Sequence, residues 1–194
     1  MEKELINSIS SLLPRSYQQL NKVFESDSEI VPFGDMQMLF TVDEYSSEDQ
    51  FRDGDAFNLG WNYTVATLSD IYASGGKPMY YAHSMVLDEV KRDTKYTTSF
   101  TKGIAEVLGN TGCCFIGGDI GTGINWHYTG IAIGKSKEPI TRIGCKSGDL
   151  ILMTGNIGTG NLEAALNIYS SNQLLKQITN TYKTWLVPRS LESK

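Results

Sequence analysis

Four aspartates share one kind of position in this sequence. Asp35 in FGD, Asp43 in TVD, Asp70 in LSD and Asp119 in GGD each close an apolar stretch or stand beside glycine. Singly, such residues serve as caps or turn residues. As a set they suit a divalent cation. Mg²⁺ takes oxygen ligands in octahedral geometry, typically one or two carboxylates together with substrate phosphates. Asp70 is the telling member. It falls at the C-terminal end of an apolar helical run, in LSDIYASGGKP, where the helix dipole disfavours an anion. Burying an unpaired carboxylate there is costly, and a metal or a phosphate-bound cation resolves the conflict. Phosphoryl transfer suits such a site, because positioning and charge neutralisation do most of its work.

Other residues extend that reading. Gly117 and Gly118 precede Asp119; without side chains they let backbone amides approach phosphate oxygens while the carboxylate reaches metal. Arg142 opens TRIGCKSGD, and its guanidinium suits either a phosphate or solvent. GNIGTG, residues 155–160, lies between a strand-like and a helix-like segment. It is neither a Walker loop, for no Lys-Ser/Thr follows, nor the GxGxxG fingerprint. A glycine-rich turn feeding a helix explains it equally well. His83 and His127 have no acidic or cysteine partner at ligand spacing and read as core or surface histidines. Tyr80, Tyr81 and Trp126 read as packing residues.

These residues need elements to hold them. Residues 2–26 read as helical, with Leu5, Ile9, Leu12 and Leu13 on one side, a break at Pro14, and a second amphipathic piece through Leu20, Val23 and Phe24. Pro32 to Asp35 is a turn, residues 36–43 a strand, and 44–55 a polar loop. Residues 56–73 form the strongest helix, ended by Gly75-Gly76 and Pro78. A strand over 79–87, a helix over 97–108, a short buried strand over 113–116 and a strand over 126–134 follow. A last strand over 150–154 precedes a helix from about 162 to 169. This alternation predicts a mixed α/β or α+β domain.

At 194 residues the chain suits one domain, or one domain and a fragment of the next. We divide it into a helical segment (1–30), a nucleotide- and metal-binding domain (31–185) and a linker (186–194). Net charge is -5 and no basic run is present, which argues against nucleic acid. Cys113, Cys114 and Cys145 show no metal spacing; the adjacent pair reads as core. Neither a secretory pattern nor a membrane-length apolar stretch occurs, so a reducing, cytoplasmic setting is expected.

In order, the segments resemble the N-terminal half of thiamine-monophosphate kinase and, more broadly, the superfamily of aminoimidazole ribonucleotide synthetase. The family's GDD is similar to Gly34-Asp35, TTD to Thr41-Val42-Asp43, and NxSDIAAMGGxP to residues 67–78. IGGDT is similar to residues 116–120, RxGAKxGD to 142–149 and VTGxxG to 153–158. The resemblance implies that Asp35, Asp43, Asp70 and Asp119 hold Mg²⁺ ions bridging ATP phosphates. It implies that Thr41 supports that site, that Gly117, Gly118 and Asp119 touch nucleotide, and that Arg142 meets ATP. It also implies a four-stranded sheet with helices on one face, pairing with a second copy into a barrel-like homodimer.

Departures accompany the resemblance. Met36 replaces the second aspartate of GDD. Gln50 stands where the family carries a histidine that contacts thiamine phosphate, and the family's C-terminal domain does not follow. The expected function is the ATP- and Mg²⁺-binding half of a phosphotransferase acting on a small phosphorylated acceptor. Alternatives are another superfamily member that activates an amide or carbonyl oxygen with ATP, or a non-enzymatic dimeric module.

Overall fold

Gly34 adopts φ +61°, the conformation that a two-residue hairpin with glycine first requires. The hairpin joins β1 (Glu29–Phe33) to β2 (Met36–Ser46). The computed structural model describes residues 1–46 and 55–152. Beyond α1 (Glu2–Leu12) and this hairpin, the order is α2 (Ala56–Ala73), β3 (Lys77–Leu87), α3 (Thr94–Thr111), β4 (Cys114–Thr122) and β5 (His127–Ser136).

The five strands lie in the order β1-β2-β5-β3-β4. Only β3 and β4 pair in parallel, connected by α3; the other pairs are antiparallel. β5, last in sequence, therefore lies between β2 and β3, so β2-α2-β3 is a split βαβ unit. The mixed α+β class stands, but the sheet has five strands rather than four and is open. The extra strand is β1. Its residues were expected as a turn following a helical piece, and Pro32 disguises it. A proline cannot donate to a ladder, but β1 is an edge strand, where that loss is tolerated. Likewise residues 17–26 form turns, not a second helix.

Both long helices are capped at their N-termini. The Asp55 carboxylate accepts from the amides of Phe57 (2.7 Å) and Asn58 (3.3 Å), and Asp93 accepts from Tyr96 (3.2 Å). α2 and α3 cross unusually closely. A methyl group at Gly60 would stand 2.0 Å from the Phe100 carbonyl oxygen, and one at Gly103 would stand 2.0 Å from that of Phe57. Each helix thus presents a bare backbone patch to the other.

The core lies between these helices and one sheet face. Leu39, Tyr81, Tyr128 and Ala132 rise from the strands to meet Leu59, Tyr63, Leu68, Ile71 and Phe100. Burying each large side chain there contributes about 1.5–3 kcal/mol. The hydroxyls of Tyr81 and Tyr128 satisfy one another at 2.8 Å. Strand alternation leaves the opposite face, with Phe40, Val42, Tyr80, Ala82, Ile131 and Ile133, uncovered by α2 and α3. α1 buries none of its residues. Cys113 is buried as expected, but Cys114 points outward. Leu150–Leu152 are exposed and form no strand. Among the described residues no helix is long and apolar enough to cross a membrane.

Candidate functional site

α2 runs to Ala73, so Asp70 stands in its last turn. The middle of β2 passes beside that turn, and Thr41 Oγ1 donates to Asp70 Oδ2 at 2.8 Å. Two residues further along β2, on the same face by strand alternation, is Asp43. Both carboxylates are half-buried. Burial pushes the Asp70 carboxyl up to about 6; the Thr41 hydroxyl opposes that, and the charges of Asp43 and Asp27 add to it. Burial also raises Asp43, against the pull of the Thr67 and Tyr45 hydroxyls. An aromatic floor contributes to this dryness, with Tyr45 stacked on Tyr63 at 4.1 Å and Tyr63 on Tyr128 at 6.0 Å.

Asp27 was not anticipated. It lies in the turn before β1 and pairs with Arg142. The Arg142 charge in turn pulls the Asp70 carboxyl down, and Asp27 raises the pKa of the Arg142 guanidinium. The Ser28 hydroxyl donates to the Asp70 carbonyl at 2.9 Å, and the Ser28 amide donates to Ser74 Oγ at 3.0 Å. The sequence signal was available: Ser26-Asp27-Ser28 puts three polar groups immediately ahead of a strand. Three carboxylates, several hydroxyls and one guanidinium therefore share the corner where α2 ends.

The four expected aspartates do not all meet. Asp35 occupies the hairpin tip. It stands eight residues before Asp43 on an extended strand, about 25 Å away at the strand rise. Asp119 is on β4, three strand spacings from β2, about 14 Å. It also faces the other way. His83 and Met85 on β3 share a wall with Gly118 and Ile120, on the side of α3. Alternation turns Asp119, beside Ser84, to the uncovered face. Glycines are compatible with an extended ladder, so GGD lies inside β4 instead of capping it. Among the described residues, no three His, Cys, Asp or Glu side chains close into a metal-holding group. Gln50, GNIGTG, the helix expected over 162–169 and the 186–194 linker lie outside the described residues.

A cleft of about 510 Å³ opens between α3 and β4, lined by His83, Thr101, Ile104, Leu108, Phe115 and Gly118 among others. A methyl group at Gly118 would stand 2.4 Å from His83 Cδ2 and 2.6 Å from its carbonyl oxygen; glycine is what admits the imidazole to the wall. Burial lowers the pKa of His83. His127 instead faces the open side and pairs with Glu44 at 3.2 Å.

The split βαβ sheet and the acidic end of α2 define a recognisable class. Residues 25–136 match the family described as AIR synthase related protein, N-terminal domain, and the chain belongs to that family. Within it, the chain is similar to thiamine-monophosphate kinases. It is 30% identical over 170 residues to the one from Methanopyrus kandleri, covering 86% of this chain and 52% of the relative. It is 26% identical over 184 residues to the one from Methanocaldococcus jannaschii, covering 94% and 56%. The chain thus spans about half the length of the curated relatives it matches. The fold agrees. The solved structure described as AaThiL complexed with AMPPCP and TMP superposes with a TM-score of 0.77 at 22% identity, over 96% of this chain and 62% of that one. The thiamine-monophosphate kinase of Stenotrophomonas maltophilia gives 0.70 at 21% identity, over 97% and 61%.

Proposed function

We propose that this chain is the nucleotide- and Mg²⁺-binding half of a kinase that transfers the γ-phosphoryl group of ATP to a small phosphorylated acceptor of the thiamine-monophosphate type. One observation carries the reading. Asp70 and Asp43 are both half-buried, the charges of Asp43 and Asp27 are felt at Asp70, and both the Asp70 and Asp43 carboxyls are raised by their surroundings. A fold does not retain such a costly arrangement for its own stability. A divalent cation fits it, since the donors are hard oxygens and three carboxylates face a single guanidinium.

In this reading Asp43 and Asp70 hold Mg²⁺, with Asp27 beside them. Bound there, Mg²⁺ would neutralise phosphate charge. Thr41 fixes the Asp70 carboxylate through its hydrogen bond, leaving the other oxygen for the ligand. Arg142 faces the same corner and supplies a planar, bidentate phosphate donor. Gly118 lines the α3–β4 cleft and, with its neighbours Gly117 and Asp119 on the same strand, belongs with the nucleotide rather than with the carboxylate corner. The cleft's apolar walls and its single imidazole suit a nucleobase. In-line attack by an acceptor phosphate needs no protein nucleophile, so these residues act by orientation and charge.

Several features support this. The relatives that match are named as kinases, and one neighbouring structure is described with AMPPCP and TMP. The uncovered apolar sheet face supports pairing with a second copy of the chain. Calorimetry with AMPPCP, with and without Mg²⁺, tests the proposal: binding is expected only with the cation. Affinity indifferent to Mg²⁺ would remove it.

A further inference from the structure

The core between α2 and the sheet holds a group of wholly buried hydroxyls, those of Thr64, Thr67, Tyr81 and Tyr128. Tyr81 and Tyr128 meet at 2.8 Å, and the Tyr81 phenol reaches the hydroxyls of Thr64 and Thr67 on α2. Gly130 makes room for them: a methyl group there would stand 2.3 Å from Thr67 Oγ1 and 2.8 Å from the Tyr81 hydroxyl. At the other end, the Tyr128 hydroxyl lies 3.5 Å from His83 Nδ1, with the two rings edge to face at 5.5 Å. The opposite ring nitrogen, Nε2, stands beside Gly118 in the wall of the α3–β4 cleft. A string of hydroxyls thus runs from α2 through the core to the imidazole. Burial lowers the His83 pKa, so near neutral pH the ring is uncharged and has one hydrogen to place on either nitrogen.

Counting hydrogens decides which nitrogen takes it. Each hydroxyl has one hydrogen to give and lone pairs to receive. Thr64 gives its hydrogen to the Gly60 carbonyl at 2.8 Å. Thr67 gives its own to the Tyr63 carbonyl at 3.0 Å or to Asp43, an acceptor in either case. Both threonines therefore offer lone pairs to Tyr81, and Tyr81 donates to the helix. Tyr128 then donates to Tyr81 and keeps lone pairs for His83. The string closes when Nδ1 carries the imidazole hydrogen. The opposite polarity, with Tyr81 donating to Tyr128 and Tyr128 to a bare Nδ1, makes one hydrogen bond fewer, a difference of about fivefold in population.

We propose that this string fixes His83 as the Nδ1–H tautomer, leaving Nε2 a bare acceptor in the α3–β4 cleft, and that the cleft takes a planar ring with an N–H on its edge. Ile104, Leu108 and Phe115 wall the ring in, and Phe115 stands 5.1 Å from the imidazole, ring to ring. A ring with an amino edge pairs with Nε2; one that presents carbonyl oxygens alone leaves Nε2 without a donor. His83 is then a specificity-determining residue, and Tyr81 and Tyr128 are positioning residues that act through it. The choice of ligand rests on the preceding reading of the cleft as a binding site; the tautomer does not.

Long-range ¹H–¹⁵N correlation spectra of the ¹⁵N-histidine-labelled full chain, recorded at about pH 8, tell a protonated ring nitrogen from a bare one. The chain has 2 histidines, so His127 serves as the internal comparison. His83 should appear as Nδ1–H. In Tyr81→Phe the Tyr128 hydroxyl loses its acceptor and turns to Nδ1, so His83 should switch to Nε2–H. A substitution that merely loosened the core would not move the hydrogen in that direction. An Nε2–H ring in the unaltered chain, or no switch in Tyr81→Phe, overturns the proposal. Indole and benzofuran, alike in shape, then probe the cleft by titration followed in the same spectra. Indole alone carries an N–H and should bind the unaltered chain about fivefold more tightly. Tyr81→Phe should erase that preference while still binding benzofuran. Equal affinities in the unaltered chain, or binding of neither probe, overturn the choice of ligand even where the tautomer is as stated. Loss of Mg²⁺-dependent AMPPCP binding would defeat the proposed function while leaving the tautomer and the indole preference standing.

Discussion

The end of α2 and the middle of β4 both carry acidic residues that the sequence marks as metal ligands, yet they are built differently. Asp70 is enclosed. It has a hydroxyl partner, two neighbouring carboxylates and a backbone carbonyl tied to Ser28. Asp119 sits exposed on an edge strand among Phe115, Ile116 and Ile120, which are themselves half or more exposed. The first region has its surroundings within this chain. The second offers an apolar cleft on one face and an acid on the other. A carboxylate's function depends on what desolvates it, and only the α2 corner supplies that desolvation here.

The comparison breaks most sharply at Asp70 itself. Asp70→Asn is expected to weaken Mg²⁺-dependent AMPPCP binding about 100-fold, and Asp119→Asn by less than about tenfold, on the scale of disturbed metal sites. Calorimetry on both variants checks this; equal losses would erase the distinction. Next in size is Gly118→Ala. Its new methyl group would press on the His83 ring and carbonyl, so overpacking should cost about 1–3 kcal/mol. A lowered melting temperature and weakened nucleotide affinity would report it together.

Acidity sharpens the comparison further. The Asp70 carboxyl is raised to about 6 in the folded chain, from an ordinary value of 3.8. Its ionised form therefore opposes folding above pH 6, and that penalty is relieved as pH falls from 6 towards 3.8. In the absence of metal, Asp70→Asn should melt higher than the unaltered chain at pH 7, and the gap should close by pH 4. Thermal melts across that range decide it; a gap that widens on acidification contradicts the assignment. The smallest effect belongs to Asp35→Ala. At a hairpin tip far from the corner it should change stability by no more than about 0.5 kcal/mol. It should leave Mg²⁺-dependent nucleotide affinity alone, as the same titration would show.

Much of the scaffold was legible. α2 was read with its bounds intact, because its capping aspartate, apolar face and terminal glycines agree with one another. α3 was placed within three residues at each end. β1 was missed because its five residues include a proline, and because the propensity of a short strand yields to what its neighbour demands. At the candidate site, the half-buried settings of Asp43 and Asp70 were legible through the apolar residues around them. Asp35 was read as a turn residue as well as a ligand, and its glycine does turn a hairpin. Asp27 was overlooked because its importance comes from the Ser74 contacts and from Arg142, partners 46 or more positions away. Local pattern carries no record of such distant pairings.

The position of β5 has a consequence for how the molecule comes into being. The strand that joins β2 to β3 is the last of the five to leave the ribosome. Until residue 136 has emerged, the β1–β2 hairpin and the β3–α3–β4 unit have no ladder between them. Synthesis at about 5–20 residues per second leaves both pieces waiting with open edges for seconds. A nascent chain halted before His127 should thus be the species most in need of a chaperone, and one extended past Ser136 should close its sheet in a single cooperative step.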